Sequence, residues 1–422
     1  MKNWRKKAVK RWIRWLRQYM TAFFKWSAAA AAVGIICGLL GSGFHMAIDW
    51  AAEVRQAHPA IIWLLPLAGV AVVLLYKLCR VSFSAGTNLI IQSVTTNVHV
   101  PVLLAPLIVV GTFLSHLFGA SVGREGAALQ LGGSIGHNFG ELLHFDSDDV
   151  RVLSMCGMAA CFSAMFGTPM AAAVFVLEVI QVGSIHFDAF LPVVTASFTS
   201  RLVGQALGVR PMAFAVEIPA LQTTMLLRTA VLAALCSVVS ILLCVCLHQA
   251  GRLSVKLIRN SYLRIAAGGA AMALLVGCFG LTDYAGAGNH MLEQAAAGQT
   301  VPWAFLVKIL LTALCVGTGF RGGEIVPTLF VGATFGCAAG PLLGLDPGFA
   351  AALGMVALFC SVVNCPLASL FLAAELFSTG ELGYFAVAAA VTFVLSGYFG
   401  LYSSQKILYS KIKDKVLDIN TK

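Results

Sequence analysis

The sequence predicts an all-α membrane protein of many tilted and broken helices, arranged as two inverted-topology repeats. Of its 422 residues, 59% are hydrophobic and 11% are charged, whereas an ordinary soluble domain is about 25% charged. Glycine- and proline-containing motifs also recur at a fixed distance along the chain. Several apolar stretches reach the roughly 20 residues that cross a bilayer: residues 28–48, 60–79, 101–120 and 229–247.

The basic residues fit membrane topology better than nucleic-acid binding. The formal net charge of +10 comes from residues that flank hydrophobic segments, in stretches 2–17, 252–264 and 406–415. Cytoplasmic segments are enriched in Lys and Arg, so we expect both termini in the cytoplasm. Residues 1–21 are predicted to form a basic amphipathic helix at the membrane surface, and a disordered basic tail is the alternative.

An internal repeat is indicated by three matches at the same offset along the chain: Arg124 with Arg321, Pro169 with Pro366, and Glu178 with Glu375. Recurrence at a fixed distance is the sequence signature of duplication. The predicted division is residues 22–207 for repeat one, 208–221 for the joint, 222–400 for repeat two and 401–422 for a C-terminal helix and tail. The basic loop after the first span of repeat two implies that the halves run in opposite directions.

Glycine and proline interrupt the apolar pattern at residues 84–88, 123–126 and 317–323 and at Pro366. Backbone groups freed by such breaks must be satisfied inside the protein or by a water-lined cavity. A helix N-terminus presents free N–H groups and the positive end of the helix dipole. Several broken helices converging on one point would therefore bind a permeating anion. Close packing of small residues is the alternative explanation for each glycine cluster.

Glu125 is the candidate for the gate of this pathway. A charged residue in the membrane interior costs about 2.5–3.5 kcal/mol, so Glu125 is expected to be functional or paired. Arg124 is the obvious partner, although adjacent side chains on a helix diverge. At a helix start inside an anion pathway, the ionised carboxylate would take the place of the anion, and protonation would remove it. One residue would then couple anion and proton.

Other membrane-embedded carboxylates are interpreted as structural. Glu178 and Glu375 are expected to brace equivalent helices, and Glu324 to pair with Arg321 three residues earlier. We expect no enzyme activity, metal or cofactor, because the chain has neither an H-E-x-x-H motif nor a nucleophile elbow. The absence of a P-loop motif argues against nucleotide-driven transport. An intramembrane enzyme and a cation transporter remain the alternatives from other classes.

The stretch Gly123-Arg124-Glu125-Gly126 resembles the signature of the CLC family of chloride channels and anion/proton antiporters. The resemblance covers nearly the whole chain and includes Gly322-Gly323-x-x-x-Pro327 and Tyr402-Ser403, which is expected to open a final helix. It implies a homodimer in the cell membrane with one pore per subunit, and Glu125 as the external gate. The implied anion-binding residues are Gly86, Thr87, Asn88, Gly123, Arg124, Gly126, Ile325, Val326 and Tyr402.

Departures from the chloride pattern are similar to the fluoride-exporting branch of that family. Gly86-Thr87-Asn88-Leu89-Ile90 replaces Gly-Ser-Gly-Ile-Pro, Glu324 follows the later glycine pair, and Val179 stands where many exchangers carry an inner proton-relay glutamate. The resemblance therefore implies fluoride/proton antiport, with a chloride channel or chloride/proton exchanger as the alternative. Fluoride holds water tightly and needs strong donors, so Asn88 is expected to donate to it; a helix cap is its other possible role.

Overall fold

Helices make up most of the computed structural model, which describes residues 2–83, 86–96, 98–413 and 415–422. This part of the chain contains sixteen α-helices and one three-stranded sheet. Within the same residues, six helices are long and apolar enough to cross a membrane. The predicted helical membrane fold is confirmed, and the small sheet is an addition that was not expected.

The first half of the chain contributes eight helices: α1 (Lys2–Ala57), α2 (Leu65–Leu78), α3 (Thr87–Thr96), α4 (Leu104–Leu117), α5 (Glu125–Leu142), α6 (Ser147–Phe166), α7 (Pro169–Val179) and α8 (Phe190–Ala206). The basic N-terminal segment is not a separate helix, because α1 runs without interruption through the predicted boundary at residue 21. No proline occurs before Pro59, so nothing in this stretch breaks the helical backbone.

The second half contributes the other eight: α9 (Thr223–Leu257), α10 (Ser261–Phe279), α11 (Asn289–Ala296), α12 (Ala304–Thr318), α13 (Ile325–Ala339), α14 (Pro347–Val363), α15 (Pro366–Leu376) and α16 (Gly383–Leu395). Counted in residues along the chain, the separation between the starts of α4 and α12 equals that between the starts of α5 and α13. The separation between the starts of α7 and α15 is slightly smaller. The difference arises between these pairs, because α6 has 20 residues and α14 has 17.

This change of register corrects one of the sequence matches. Arg124 is the N-cap of α5 and Glu324 is the N-cap of α13, so Arg124 is structurally equivalent to Glu324 and not to Arg321. Asp146 and Asp346, the N-caps of α6 and α14, have the same separation, and each accepts a 2.9 Å hydrogen bond from the backbone three positions on. The offset found in the sequence therefore holds only for α7 and α15.

Glu178 and Glu375 join the two halves by reciprocal capping, which confirms their predicted bracing role. The carboxylate of Glu178 accepts hydrogen bonds from the N–H groups of Leu367 and Ala368, at 3.2 and 2.8 Å. In return, Glu375 accepts from Met170 and Ala171, at 3.0 and 2.9 Å. Each glutamate at the end of one helix therefore caps the start of the other, so α7 and α15 pack antiparallel.

Glycine pairs let α5 cross α6 and α13 cross α14 at very short range. A Cβ atom on Gly132 would lie 2.0 Å from the carbonyl oxygen of Gly157. The equivalent pair in the second half, Gly332 and Gly354, would give 2.3 Å. Close packing alone explains these glycines. This is the alternative explanation that was given for the glycine clusters of the sequence.

The segment after Tyr402 is not a helix, so the predicted final helix is wrong. Strand β2 (Lys406–Tyr409) pairs parallel with β1 (Gln181–Val182) and antiparallel with β3 (Val416–Asn420). Buried Gln405 fixes the start of β2, because its amide donates to the carbonyl oxygens of Val179 and Val363, at 3.0 and 2.8 Å. The helix was expected from the resemblance alone, whereas the residues of β2 pair with β1, which is remote in sequence.

Removal of one reciprocal cap should destabilise the fold. Glu178→Ala leaves the buried N–H group of Ala368 and the partly buried N–H group of Leu367 without an acceptor, which should cost about 1–3 kcal/mol. Glu178→Gln should cost less, since its amide keeps one acceptor oxygen. Thermal unfolding of the detergent-purified protein measures both, with Glu381→Ala at an exposed site as the control. Equal unfolding temperatures for Glu178→Ala and the control would contradict the capping role.

Candidate functional site

The starts of α5 and α13 meet at one point, where the non-helical residues that precede each helix hydrogen-bond to each other. Gly123 and Gly323 form an antiparallel bridge, with N···O distances of 2.6 Å in both directions. The first turn of each helix has N–H groups without intrahelical acceptors. Two positive helix ends therefore lie beside the same bridge, as the sequence analysis expected of converging broken helices.

Only glycine allows this approach. A Cβ on Gly323 would lie 2.3 Å from the backbone nitrogen of Gly126, and one on Gly126 would lie 2.8 Å from the Cα of Gly323. A Cβ on Gly123 would lie 2.9 Å from Oε2 of Glu125. The glycines flanking Arg124 and Glu125 are thus required by contact between the halves.

Glu125 is the first residue of α5, and its side chain is almost completely buried. Its Oε2 accepts a 2.9 Å hydrogen bond from the backbone N–H of Arg124, and its Oε1 lies 3.5 Å from Arg124 Nε. The expectation that these two side chains diverge is wrong. Arg124 has φ −112° at the N-cap, so the spacing of helical neighbours does not apply to the pair.

Arg124 is also held from α1, through residues that the sequence analysis missed. One guanidinium nitrogen lies 2.5 Å from Oδ1 of Asp49, whose Oδ2 lies 3.1 Å from Nε2 of His45. Asp49 is half exposed. The signal was present in the sequence, because His45 and Asp49 are polar residues four apart at the end of the apolar stretch 28–48 of α1.

A cavity of about 400 Å³ lies on one side of the bridge. Its lining includes four residues of the predicted site, Gly86, Thr87, Asn88 and Tyr402, together with Glu324. A second cavity, of about 500 Å³, is lined by Arg124 together with Asp49, Arg55, His116 and Asn289. Glu125 itself lines neither cavity; its neighbour Arg124 lines the second, and Glu324, the N-cap of α13, lines the first.

The start of α3 is tied to two other elements at the first cavity. Asn88 Oδ1 accepts a 3.0 Å hydrogen bond from the N–H of Ser404, so it fastens the segment after Tyr402 and does not cap α3. Its amide N–H groups are the donors that remain. Thr87 Oγ1 accepts from Gln130 of α5 at 3.0 Å. Ser84 and Ala85, the first residues of this predicted break, lie outside the described residues.

Tyr402 lines the first cavity with an uncommitted hydroxyl. The side chain is buried, and its oxygen has no hydrogen-bond partner among the described residues. A buried hydroxyl without a partner costs about 1–3 kcal/mol. An anion in the cavity would satisfy it. The residue therefore keeps its predicted position although its predicted helix is absent.

The start of α13 supplies the remaining predicted residues. Ile325 and Val326 are its first two residues and are fully buried. The predicted pairing of Glu324 with Arg321 is wrong, because the guanidinium of Arg321 donates to the carbonyl of Phe83 and lies 4.3 and 4.2 Å from the ring centres of Tyr76 and Phe83. Arg321 precedes the helix, so helical i,i+3 spacing does not apply.

Glu324 instead faces the other half of the molecule. A Cβ atom built on Gly126 would lie 3.5 Å from Oε2 of Glu324, so this carboxylate reaches the start of α5. Two carboxylates, Glu125 and Glu324, therefore lie at the same meeting point of helix ends.

Residues 94–397, which contain both glycines of the bridge, match the family model described as "Voltage gated chloride channel". The chain belongs to the CLC family. It is 37% identical over 395 residues to the "Chloride/fluoride channel protein" of Pseudomonas syringae pv. tomato, covering 92% of this chain and 87% of that protein. It is 28% identical to the "H(+)/Cl(-) exchange transporter ClcA" of Vibrio vulnificus, covering 82% of this chain and 81% of that protein.

Solved CLC structures share the fold. A crystal structure of a CLC-type fluoride/proton antiporter superposes with a TM-score of 0.88 and 29% identity, covering 92% of this chain and 98% of that chain. A slow cyanobacterial Cl⁻/H⁺ antiporter gives a TM-score of 0.78 at 21% identity, covering 88% and 94%. The helix order and the broken helices thus belong to a known CLC architecture.

A side chain at the bridge should force the two helix starts apart. Gly323→Ala places a methyl group against the backbone of Gly126, and overpacking of this kind costs about 1–3 kcal/mol or more. We expect a lower unfolding temperature or a loss of folded yield. Gly43→Ala on α1 is the matched control, since a Cβ there meets nothing within 4 Å. Equal stability of the two variants would show that the bridge is not close-packed.

Proposed function

We propose that this chain exports fluoride by fluoride/proton antiport, with Glu125 as the protonatable gate. The observation that carries the proposal is the position of Glu125, buried where two helix N-termini meet. Its neighbour Arg124 lines one cavity, and Glu324 at the same meeting point lines the other. The names of the similar proteins, a chloride/fluoride channel protein and a fluoride/proton antiporter, support the choice of ion.

In this proposal the Glu125 carboxylate and a permeating anion compete for one binding position at the helix N-termini. Helix N-termini attract negative charge without a fixed cation, so the ionised carboxylate of Glu125 and a permeating anion are alternative occupants. Protonation neutralises the carboxylate and weakens its hold on the Arg124 N–H group. The anion then occupies the vacated place. The two ions move in opposite directions because the proton is taken up from the side to which the anion leaves and is released, when the carboxylate returns, to the side from which the anion came.

Fluoride selectivity is assigned to the donors around the first cavity. Fluoride gives up its hydration shell reluctantly, so the site must replace water with strong hydrogen-bond donors. The amide N–H groups of Asn88, the Tyr402 hydroxyl and the backbone N–H groups of Ile325 and Val326 are those donors. The tie from Ser404 to Asn88 Oδ1 supports this role, because it turns the acceptor end of the amide away from the anion.

Glu178 is excluded from a proton-relay role by its contacts. Both oxygens accept hydrogen bonds from α15, and Val179 beside it cannot carry a proton. The proton route therefore runs through Glu125 without an inner relay at this position.

The active form is proposed to be a homodimer in the plasma membrane, with one pore in each subunit and both termini in the cytoplasm. The basic stretches 2–17, 252–264 and 406–415 support this orientation. The chain acts as a transporter and not as an enzyme, with fluoride or chloride and protons as its substrates and the lipid bilayer as its surroundings.

Transport by the purified protein in liposomes tests the proposal. Vesicles loaded with fluoride or chloride should release fluoride faster, with proton uptake in the opposite direction, when an ion-selective electrode and a pH dye are read together. Faster chloride release would favour the chloride/proton exchanger, and fluoride release without proton movement would favour a channel. Release of neither ion would reject anion transport.

The role of Glu125 is tested by Glu125→Gln, which keeps the size of the side chain but cannot exchange a proton. An outward fluoride gradient should drive uphill proton uptake in the native protein, and the variant should show none. Glu381→Gln, at an exposed site, should retain coupling. Uphill proton movement in Glu125→Gln would reject the assigned role.

The role of Asn88 is tested by Asn88→Leu, which has a similar volume and no donor. Loss of a hydrogen bond to a charged group costs about 1.5–3 kcal/mol, so fluoride efflux should fall roughly ten-fold or more. Gln92→Leu is the matched control, because Gln92 also contacts Ser404, at 3.0 Å, but does not line the cavity. Equal effects of the two substitutions would assign Asn88 to the loop contact and not to the ion.

A further inference from the structure

His99, His137 and Glu141 form a cluster at the end of α5 opposite Glu125. His137 lies twelve residues beyond Glu125, about 18 Å along the helix. Nδ1 of His99 and Nε2 of His137 lie 3.1 and 3.2 Å from the same carboxylate oxygen, Oε1 of Glu141. All three potential ligand atoms lie within 4.8 Å of one another. The transport mechanism uses none of these residues.

The hydrogen bonds of His137 Nε2 conflict with each other. The N–H of Val100 donates to Nε2 over 3.3 Å, which requires a lone pair on that nitrogen. The same lone pair then faces the Glu141 oxygen at 3.2 Å, and two acceptors at this distance repel. If Nε2 instead carries hydrogen, it meets the Val100 N–H. A cation between Nε2 and Oε1 removes the repulsion, because both lone pairs then bind it, and the Val100 N–H loses its weak contact with Nε2.

We propose that His99, His137 and Glu141 bind a divalent transition-metal ion of the Zn²⁺ class. Two imidazole nitrogens and one carboxylate oxygen are a ligand set that Zn²⁺ takes in proteins, with water in the fourth position. Ligand atoms around tetrahedral Zn²⁺ are about 3.3 Å apart, close to the two measured separations. The ring of His99 is 65% exposed and that of His137 is 6% exposed, so the site is open to water on one side only.

A bound ion would clamp two segments that carry opposite sides of the anion pathway. His137 and Glu141 are one turn apart on α5, which begins at Glu125. His99 lies in the segment that follows α3, whose start carries Thr87 and Asn88. Asn138 already holds this segment through the Val100 carbonyl at 3.3 Å. The ion replaces the weak Val100 contact with bonds to both elements.

The experiment is a metal titration of the detergent-purified full chain after removal of any affinity tag. Zn²⁺ is followed by calorimetry, and Co²⁺ by the intense visible absorption of its four-coordinate form. We expect one equivalent of metal per chain. His99→Ala and Glu141→Gln should each weaken binding roughly ten-fold or more. His99 is the preferred first variant, because its exposed ring contributes little to folding.

His186→Ala is the matched control, since His186 lies 4.0 Å from Asp188 and has no third potential ligand among the described residues; the metal affinity of this variant should be unchanged. The proposal is overturned if neither metal binds at one equivalent, or if no four-coordinate Co²⁺ band appears. It is also overturned if His99→Ala binds as tightly as the native protein, or if His186→Ala loses affinity to the same extent.

Discussion

Contact between Gly123 and Gly323 is the constraint on which the rest of the site depends. Their mutual hydrogen bonds bring the starts of α5 and α13 within van der Waals distance. The positive ends of two helix dipoles are then directed at one small region. Neither half could produce this field alone, because each half contributes one of the two helix starts.

Carboxylates satisfy helix starts in two different ways around this centre. Glu178 and Glu375 each accept hydrogen bonds from two backbone N–H groups of a helix in the opposite half, and both are committed to structure. Glu125 accepts one backbone hydrogen bond, from the N–H of Arg124, and pairs with the guanidinium of the same residue at 3.5 Å, so it caps no helix of the opposite half. The starts of α7 and α15 are thus capped by fixed carboxylates, whereas the Glu125 carboxylate at the starts of α5 and α13 can be exchanged for an anion.

The sequence predicted the membrane class, the breaks and the bracing glutamates, because lipid leaves few solutions for glycine, proline and charge in an apolar chain. It failed where contacts are not local. The Tyr402 segment pairs with β1, which lies in the first half of the chain, and the unequal lengths of α6 and α14 hide the equivalence of Arg124 and Glu324. The helical spacing rules misplaced Arg124 and Arg321 because both lie outside helices.

Competition between the Glu125 carboxylate and fluoride is the central claim, and the pH dependence of fluoride binding tests it directly. Calorimetric titration of the purified native protein should show affinity falling as pH rises, because the ionised carboxylate displaces the anion. Glu125→Gln should bind fluoride with an affinity that does not vary with pH over the same range. The same pH dependence in both proteins would contradict the account.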